Sequence, residues 1–173
     1  MFQQSPFRRL FFAIFAVAFL GACALGGPVR EDKKANDYSI SGLKAPWKKI
    51  SEKADADHAW LNSESGAILA LRSLCHRYEH ISLRNLAQNL YTVLQDVEVI
   101  DTQSRSIASR EAFESHVKGR IDGVDVESKI VVLRKNHCIF DFTVTEHKEL
   151  SSHSTEALEK LVSSFKFSGG SAP

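Results

Sequence analysis

The feature that most constrains the fold is a stretch of alternating apolar and polar residues between Glu111 and Val144. Asp122-Gly123 is a strong two-residue hairpin signal, and Lys135-Asn136 marks a second turn. A side-chain period of two residues is typical of β-strands with one apolar face. The stretch therefore predicts an antiparallel meander of three strands, the last being residues 138–144. The polar face is expected to meet water or a partner, and it carries Glu114, His116, Lys118, Asp125, Glu127 and Lys129.

A second hairpin is predicted before the meander. Residues 58–62 and the nearly continuous apolar run 67–75 have the composition of two strands joined by a turn at Ser63–Gly66. The run 67–75 would also suit a buried helix, but the turn before it favours a central strand covered on both faces. Further expected features are short strands at Tyr38–Ile40 and from Val97 to about Ile107, with Trp47 and Trp60 as core anchors.

Two stretches have the apolar spacing of an amphipathic helix. Ser82 is a good N-cap, and the spacing continues as far as Leu94, which predicts a helix over residues 83–94. Residues 151–154 can cap a second helix, with the apolar stripe Leu158, Leu161, Val162 and Phe165. Hairpins combined with such helices predict the α+β class, an antiparallel β-sheet with two or three packed helices.

The N-terminal segment has the order of an export signal. Arg8 and Arg9 precede the apolar run Leu10–Leu20, and the small residues Gly21-Ala22 follow it. A run of this length is shorter than the roughly 20 residues that span a bilayer. An ordinary secretory signal would be cut near Ala22 and would leave Cys23 without a role.

Leu20-Gly21-Ala22-Cys23 resembles the bacterial lipobox. The resemblance implies signal cleavage between Ala22 and Cys23 and acylation of Cys23, with palmitate-type chains, as the new N-terminus. Several acyl chains on one residue would hold a protein stably on a membrane, where a single chain is marginal. Ala24 stands where an aspartate tends to retain such lipoproteins at the inner membrane. The resemblance therefore implies the bacterial cell envelope and an outer-membrane position facing the periplasm.

The predicted organisation follows from these segments. It comprises a lipoprotein signal peptide at 1–22, a lipid anchor and flexible linker at 23–37, one α+β domain at 38–167 and a disordered tail at 168–173. The signal holds two of the 22 basic residues and no acidic one, so the mature chain has 20 basic against 21 acidic residues. This balance gives no electrostatic footprint for nucleic acid.

Cys75 and Cys138 are the cysteines beyond Cys23, and each has a histidine beside it. The exported compartment is oxidising, and both residues lie at predicted strand ends, so a disulfide is the leading interpretation. Free buried thiols and a zinc site are the alternatives. The zinc candidates are Cys75, His76, His80, His137 and Cys138, whose spacing matches no common zinc motif. The remaining histidines, expected at the surface, are His58, His116, His147 and His153.

The sequence contains no catalytic signature, and no catalytic residue or cofactor is predicted. A Gly-x-Ser-x-Gly elbow, a phosphate-binding loop and Gly-x-Gly-x-x-Gly are all missing. Asp55 and Asp57 form a close acidic pair, but the charged residues beside them favour a solvated loop. The chain is therefore predicted not to be an enzyme.

The order of the elements resembles that of the PsbP-like superfamily. The resemblance runs from about Tyr38 to Phe167 and includes a Tyr-x-Ile opening, Pro46-Trp47, a helix that begins at Ser82-Leu83 and a last helix that ends near Phe167. That fold is shared by an extrinsic subunit of photosystem II and a factor that binds the Ran GTPase. The resemblance implies an α/β/α sandwich, an assembly or interaction role, and no family active-site residues.

Three classes of function are left open. The leading hypothesis is a membrane-anchored envelope lipoprotein that acts as a non-catalytic protein-interaction or assembly module, accessory to an envelope transport system. Its partners would be the membrane, through the lipid anchor, and another envelope protein. The alternatives are a periplasmic carrier of a small molecule or lipid, with a pocket between sheet and helix, and a hydrolase with a non-standard site.

Overall fold

The computed structural model describes residues 34–50, 55–76, 78 and 80–168. The predicted signal peptide, the cleavage site at Ala22 and Cys23, the lipidation of Cys23, and most of the predicted linker and tail lie outside the described residues. Within these ranges, no helix is long and apolar enough to cross a membrane.

Seven strands of the described chain form one antiparallel sheet in the order β2-β3-β4-β8-β7-β6-β5, and β1 pairs with β9 separately. The strands are β1 (Tyr38–Ser39), β2 (Trp47–Lys49), β3 (His58–Asn62), β4 (Ile68–Cys75), β5 (Gln95–Ile107), β6 (Arg110–Ile121), β7 (Val124–Lys135), β8 (Cys138–His147) and β9 (Lys166–Phe167). The predicted hairpin is β3 with β4, and the predicted meander is β6, β7 and β8.

The turns of the meander form where the sequence predicts them. Asp122 and Gly123 have φ values of 50° and 81°, and Asn136 has 54°. Positive φ at both central residues is the geometry that a two-residue hairpin needs, because its twist matches the twist of the flanking strands. Asp and Asn tolerate this backbone region better than most residues, and Gly adopts it freely.

Two helices cover opposite faces of the sheet. Helix α1 (Leu83–Tyr91) is capped by Ser82, whose hydroxyl accepts a hydrogen bond from the Asn85 N–H, and it packs against β6 and β7. Helix α2 (Ser152–Ser164) is capped in the same way by Ser151 and packs against β8. The described fold is thus an α/β/α sandwich of the α+β class, as predicted. Helix α1 ends before the predicted Leu94 because the chain turns there, with the Leu94 N–H bonded to the Tyr91 carbonyl.

Each helix buries a separate apolar core. The core under α2 is the larger, and it contains Trp47, Trp60, Leu69, Leu71, Val131, Leu133, Phe140, Phe142, Leu158, Leu161 and Phe165. The core under α1 contains Leu86, Ala87, Phe113, Val117, Ile130, Val132 and Ile139. The two tryptophans are therefore core anchors, as predicted. The prediction that β4 is covered along both faces was wrong at Ile68, which is 48% exposed, because α1 packs over β6 and β7 instead.

Candidate interaction surface

The end strand β5 is the most exposed long element of the described structure. It lies at one edge of the sheet and pairs with β6 alone among the described strands. Its thirteen residues are exposed or half-buried except for Ile107. The ladder shifts register between Gln95 and Glu98 and again between Val99 and Asp101, and Asp96 has a positive φ of 49°. Such bulges bend a strand and are common at sheet edges.

Six apolar residues are exposed around the beginning of β5 and the β6–β7 turn. We call this surface the β5 corner, and it consists of Val93, Val97, Val99, Ile100, Ile121 and Val124. Their exposed fractions run from 39% at Val97 to 74% at Val93. Single exposed apolar residues are ordinary, but a group of them on one side of a soluble domain often marks a contact site.

Acidic side chains accompany these apolar residues on β5. Asp96 forms an ion pair with Arg120. Glu98 and Asp101 are exposed, and neither has an ion-pair partner among the described residues. The first half of the edge is therefore apolar and acidic.

The second half of β5 is fixed by a buried ionic network on the α2 side of the sheet. Glu114 is 3% exposed, and its carboxylate lies 2.6 Å from Arg105, 2.9 Å from Lys129 and 3.2 Å from Gln103. Arg105 also contacts Glu159 of α2 at 2.8 Å. Burial alone would raise the pKa of Glu114, but the hydrogen bonds and charges of Lys129 and Arg105 lower it.

Two sequence predictions about the polar face of the meander were wrong. The face is expected to meet water or a partner, yet Glu114 and Glu127 are buried and their counter-charges come from neighbouring strands. His116 is expected at the surface, but its Nε2 lies 2.5 Å from a carboxylate oxygen of Glu127. Lys118 is 3.5 Å from the other oxygen of the same carboxylate.

A polar cavity lies between the start of α2, the loop before β2 and the β3–β4 turn. Its volume is about 450 Å³, and its lining includes Trp47, Lys44, Glu64, Glu146, His153 and Lys160. Glu146 is buried and accepts hydrogen bonds from the Ser151 N–H and hydroxyl at 2.9 and 2.8 Å. Burial opposes the charge of Glu146, but these hydrogen bonds lower its pKa. Of the other surface histidines predicted, His153 lines this cavity and His147 is exposed.

The acidic pair Asp55 and Asp57 does not form one solvated loop. The Asp55 side chain is 74% exposed, whereas that of Asp57 is 7% exposed and lies 3.1 Å from the Lys34 ammonium group. The Tyr38 hydroxyl donates to Asp57 at 3.2 Å. The prediction was therefore wrong for Asp57, because the chain before β1 folds over it.

Arg72 bridges Asp55 to a second buried carboxylate, Asp141, at 3.2 and 3.3 Å. Burial raises the pKa of Asp141 to about 6, although the positive charge of Arg72 opposes the shift. His58, also expected at the surface, is half-buried, and its ring stacks on Trp60 with 5.9 Å between the centroids.

Cys75 and Cys138 are joined in a disulfide, which decides between the three states that the sequence left open. They lie directly opposite each other on β4 and β8, with their Cα atoms 4.0 Å apart. The neighbouring rings of His76 and His137 stack at 5.6 Å, and His80 is exposed. Since both thiols are used, the zinc set that the sequence suggested is not assembled. The described residues hold no group of three or more metal-ligating side chains.

The sequence reasoning missed the β5 corner, and it raised a pocket between sheet and helix without naming any residue of the cavity. The pattern Val97-Glu98-Val99-Ile100 predicts the start of a strand, but it does not indicate which face of that strand the fold leaves uncovered. The adjacent pair Val99-Ile100 breaks the alternation, and such a break can signal a bulge. Nothing in the local sequence points to the cavity, because its walls come from three distant segments.

No family model matches the chain, and no curated protein sequence matches it. Solved structures do resemble it. The cyanobacterial PsbP protein CyanoP from Synechocystis sp. PCC 6803 shares 12% identity with a TM-score of 0.54, and the match covers 86% of this chain and 98% of that one. LpqN of Mycobacterium tuberculosis, described as involved in cell envelope biogenesis, shares 11% identity with a TM-score of 0.55 and coverages of 81% and 88%.

The Ran-binding protein Mog1p of Saccharomyces cerevisiae shares 12% identity with a TM-score of 0.56 and coverages of 78% and 96%. The chain spans only 45% of a Bacteroides thetaiotaomicron protein that it also matches. These likenesses show that the fold is PsbP-like, which confirms the resemblance noted in the sequence. At such identities they show the fold alone, and function has to be argued from the chain itself.

Proposed function

We propose that this protein is a lipoprotein of the bacterial envelope that acts as a non-catalytic protein-interaction or assembly module, accessory to an envelope transport system. The observation that carries the proposal is the β5 corner. A long sheet edge with exposed apolar and acidic side chains is a liability for a domain that has no partner, and it is a ready contact surface for one that has. The envelope role described for LpqN, which has the same fold, is consistent with this location.

The buried ionisable groups support a binding role more than a catalytic one. Glu114 is held by Arg105 and Lys129, and Asp141 is held by Arg72. Each of these carboxylates is accounted for by partners within the fold. Perturbed groups of this kind also occur in structural ion-pair networks, so they do not indicate chemistry by themselves.

The anchor would be lipidated Cys23, from the lipobox resemblance of Leu20–Cys23. The arm after it is tied to the domain where the described chain begins, because the Lys34 ammonium contacts Asp57 and the Ala35 N–H donates to the Ser73 hydroxyl at 2.8 Å. Ten residues, 24–33, separate Cys23 from Lys34, so eleven Cα–Cα steps join the two. An extended chain of that length reaches about 35–40 Å, so the domain would stay close to the membrane.

The test combines anchoring with partner contact in native cells. Wild-type protein should incorporate labelled palmitate and fractionate with outer membranes, whereas Cys23→Ser should do neither. A photo-crosslinking residue at Val99 should give a discrete adduct in native envelopes. The same residue at Lys48, on the opposite edge strand β2, should give none. Cys23→Ser protein that still fractionates with outer membranes, or equal crosslinking at both edges, would count against the proposal.

The cavity beside α2 favours a second candidate function, a carrier of a small molecule. Its volume of about 450 Å³ lies within the range of ligand sites. Charged residues line much of it, among them Lys44, Glu64, Glu156 and Lys160, so it suits a polar ligand better than a lipid. Native mass spectrometry of protein purified from envelopes tests this candidate. Additional mass that Lys160→Glu removes would support it, since Lys160 is an exposed residue of the cavity lining, and a mass equal to that of the bare polypeptide would count against it.

A further inference from the structure

We propose that the β5 edge takes up an extended segment of a partner protein as an added strand, and that this segment is apolar and basic. The inference rests on the proposed function, since it names the kind of partner that the β5 corner would bind. Strand addition combines main-chain hydrogen bonds, which supply affinity, with side-chain contacts, which supply specificity.

The backbone of β5 offers an edge long enough for strand addition. From Asp101 to Ile107 the ladder with β6 runs through seven consecutive pairs with no register shift. No other described strand pairs with the outer side of β5. The opposite edge of the sheet, β2, has only three residues and offers no comparable length.

The edge is also held rigid from behind. Gln103 and Arg105 point to the α2 side of the sheet, where they bind Glu114, and Arg105 binds Glu159 as well. These contacts fix β5 to both β6 and α2. A strand that is already ordered loses little conformational entropy when a partner pairs with it, so the binding energy is not spent on ordering the site.

The side chains of the edge specify the chemistry of the partner. Val97, Val99 and Ile100 expose apolar surface, and Glu98 and Asp101 add two exposed carboxylates, the first of which lies opposite Lys118 in the ladder with β6. A segment with apolar residues and Lys or Arg would complement both features, because opposite charges on neighbouring strands attract each other.

The same charges disfavour a second copy of this chain in the register that would pair the apolar residues of the two copies. In an antiparallel pair of β5 strands centred on Val99 and Ile100, Glu98 of each copy would lie opposite Asp101 of the other. Like charges directly opposite each other destabilise a strand pair. A partner of different sequence avoids this repulsion.

The experiment measures binding of synthetic ten-residue peptides to the full-length protein purified in detergent. The probe is an alternating Lys–Val peptide, followed by fluorescence anisotropy. The matched controls are an alternating Glu–Val peptide and the Lys–Val peptide with an N-methyl group on every residue, so that neither edge of the peptide can donate a backbone hydrogen bond. We expect the Lys–Val peptide to bind at least tenfold more tightly than either control. Equal binding of the N-methylated peptide would overturn strand addition, because that peptide retains its charge and lacks the backbone donors.

Protein variants test where the peptide lies. The double variant Glu98→Lys/Asp101→Lys should invert the preference and bind the Glu–Val peptide more tightly. Ile68→Lys on β4 is the matched control, since Ile68 is as exposed as Val99, at 48%, but lies outside the β5 corner, and it should leave binding unchanged. Equal loss in both variants would overturn the assignment to the edge. A stable dimer of the wild-type protein in sedimentation experiments would overturn the assignment to a partner of different sequence.

The outcomes separate this inference from the proposed function. One outcome is specific crosslinking at Val99 in native envelopes together with peptide binding that is insensitive to N-methylation. That combination would support the interaction module and overturn the added strand. Failure of both membrane fractionation and crosslinking would count against the proposed function, whatever the peptides do.

Discussion

Two regions of the sheet are held by different interactions. We call the region around β4 and β8, at the centre of the sheet, the aromatic end, and the region around the edge strand β5 the β5 end. Around β4 and β8 an aromatic cluster fills the α2 side: Phe140 and Phe165 lie with their ring centroids 5.1 Å apart, and Phe165 and Phe167 lie 4.9 Å apart. The Cys75–Cys138 disulfide joins these same two strands. At the other end, β5 buries only Ile107 and is held by the ionic contacts of Arg105. One end excludes water, and the other remains largely open to it.

Under the proposed function, this difference would separate the residues that stabilise the domain from those that bind a partner. Burial of apolar area supplies most of the free energy of folding, and exposed side chains contribute little to it. A surface that adds little stability is free to vary in shape and charge, so it can be adapted to a partner at small cost to the fold. Stability should therefore depend on the aromatic end, and partner binding on the β5 end.

The largest effect on stability is expected from Phe140→Ala. Phe140 is 1% exposed and its ring contacts those of Tyr38, Phe165 and Phe167. Removal of a buried aromatic side chain leaves a cavity, and the expected loss is about 3–5 kcal/mol of unfolding free energy. Urea denaturation measures the loss. A loss below about 1 kcal/mol would show that the aromatic end is not the main source of stability.

Reduction of the disulfide should have the next largest effect. The bond links residues 63 positions apart, and for a loop of that size the chain-entropy model gives at most about 4 kcal/mol. We expect the melting temperature to fall by roughly 5–15 °C, with native structure retained at 25 °C. Thermal unfolding with and without reductant measures the shift, and Cys75→Ala/Cys138→Ala should reproduce it. An unchanged melting temperature would show that the unfolded chain is compact enough to make the cross-link redundant.

The sequence predicted the aromatic end better than the β5 end, for physical reasons. Local signals such as Asp122-Gly123 and the apolar stripe of α2 predict the backbone conformation of the residues that carry them, and the fold around β8 follows from these signals. The burial of Glu114 depends on Arg105 and on Glu159, which is 54 residues further along the chain from Arg105. A polar pattern cannot tell a solvated face from one neutralised by distant charges. Strand order decides which strand is an edge, and no local pattern encodes that order.

Asp141 and Glu114 should give the two ends opposite responses to pH. The pKa of Asp141 is raised to about 6. Its contribution to stability is therefore largest below about pH 4 and falls as pH rises from about 4 to about 6. The fall is on the order of 2–3 kcal/mol between about pH 4 and pH 7. The pKa of Glu114 is lowered, so its contribution is present above the ordinary glutamate range and is lost as pH falls.

Urea denaturation between pH 4 and pH 7 measures both responses. The unfolding free energy of the wild type should fall as pH rises over this range, and Asp141→Asn should not show this fall. Glu114→Gln should lose stability chiefly at neutral pH, because the charges of Arg105 and Lys129 are then uncompensated. Parallel pH profiles for wild type and Asp141→Asn would show that Arg72 neutralises Asp141 completely.

The smallest effect on stability is expected from Val99→Thr. Val99 is 48% exposed, and threonine keeps the branched shape that strands favour, so the unfolding free energy should change by less than about 0.5 kcal/mol. Val131→Thr is the matched control at the buried end: its side chain is 0% exposed, and a hydroxyl without a partner there should cost about 1–3 kcal/mol. Urea denaturation compares the two variants. Val99→Thr should nevertheless weaken the Val99-centred contact with the Lys–Val peptide, because it removes apolar surface from the edge. Equal losses of stability at the two positions would mean that β5 is packed against something in solution, and the division between a stabilising end and a binding end would then fail.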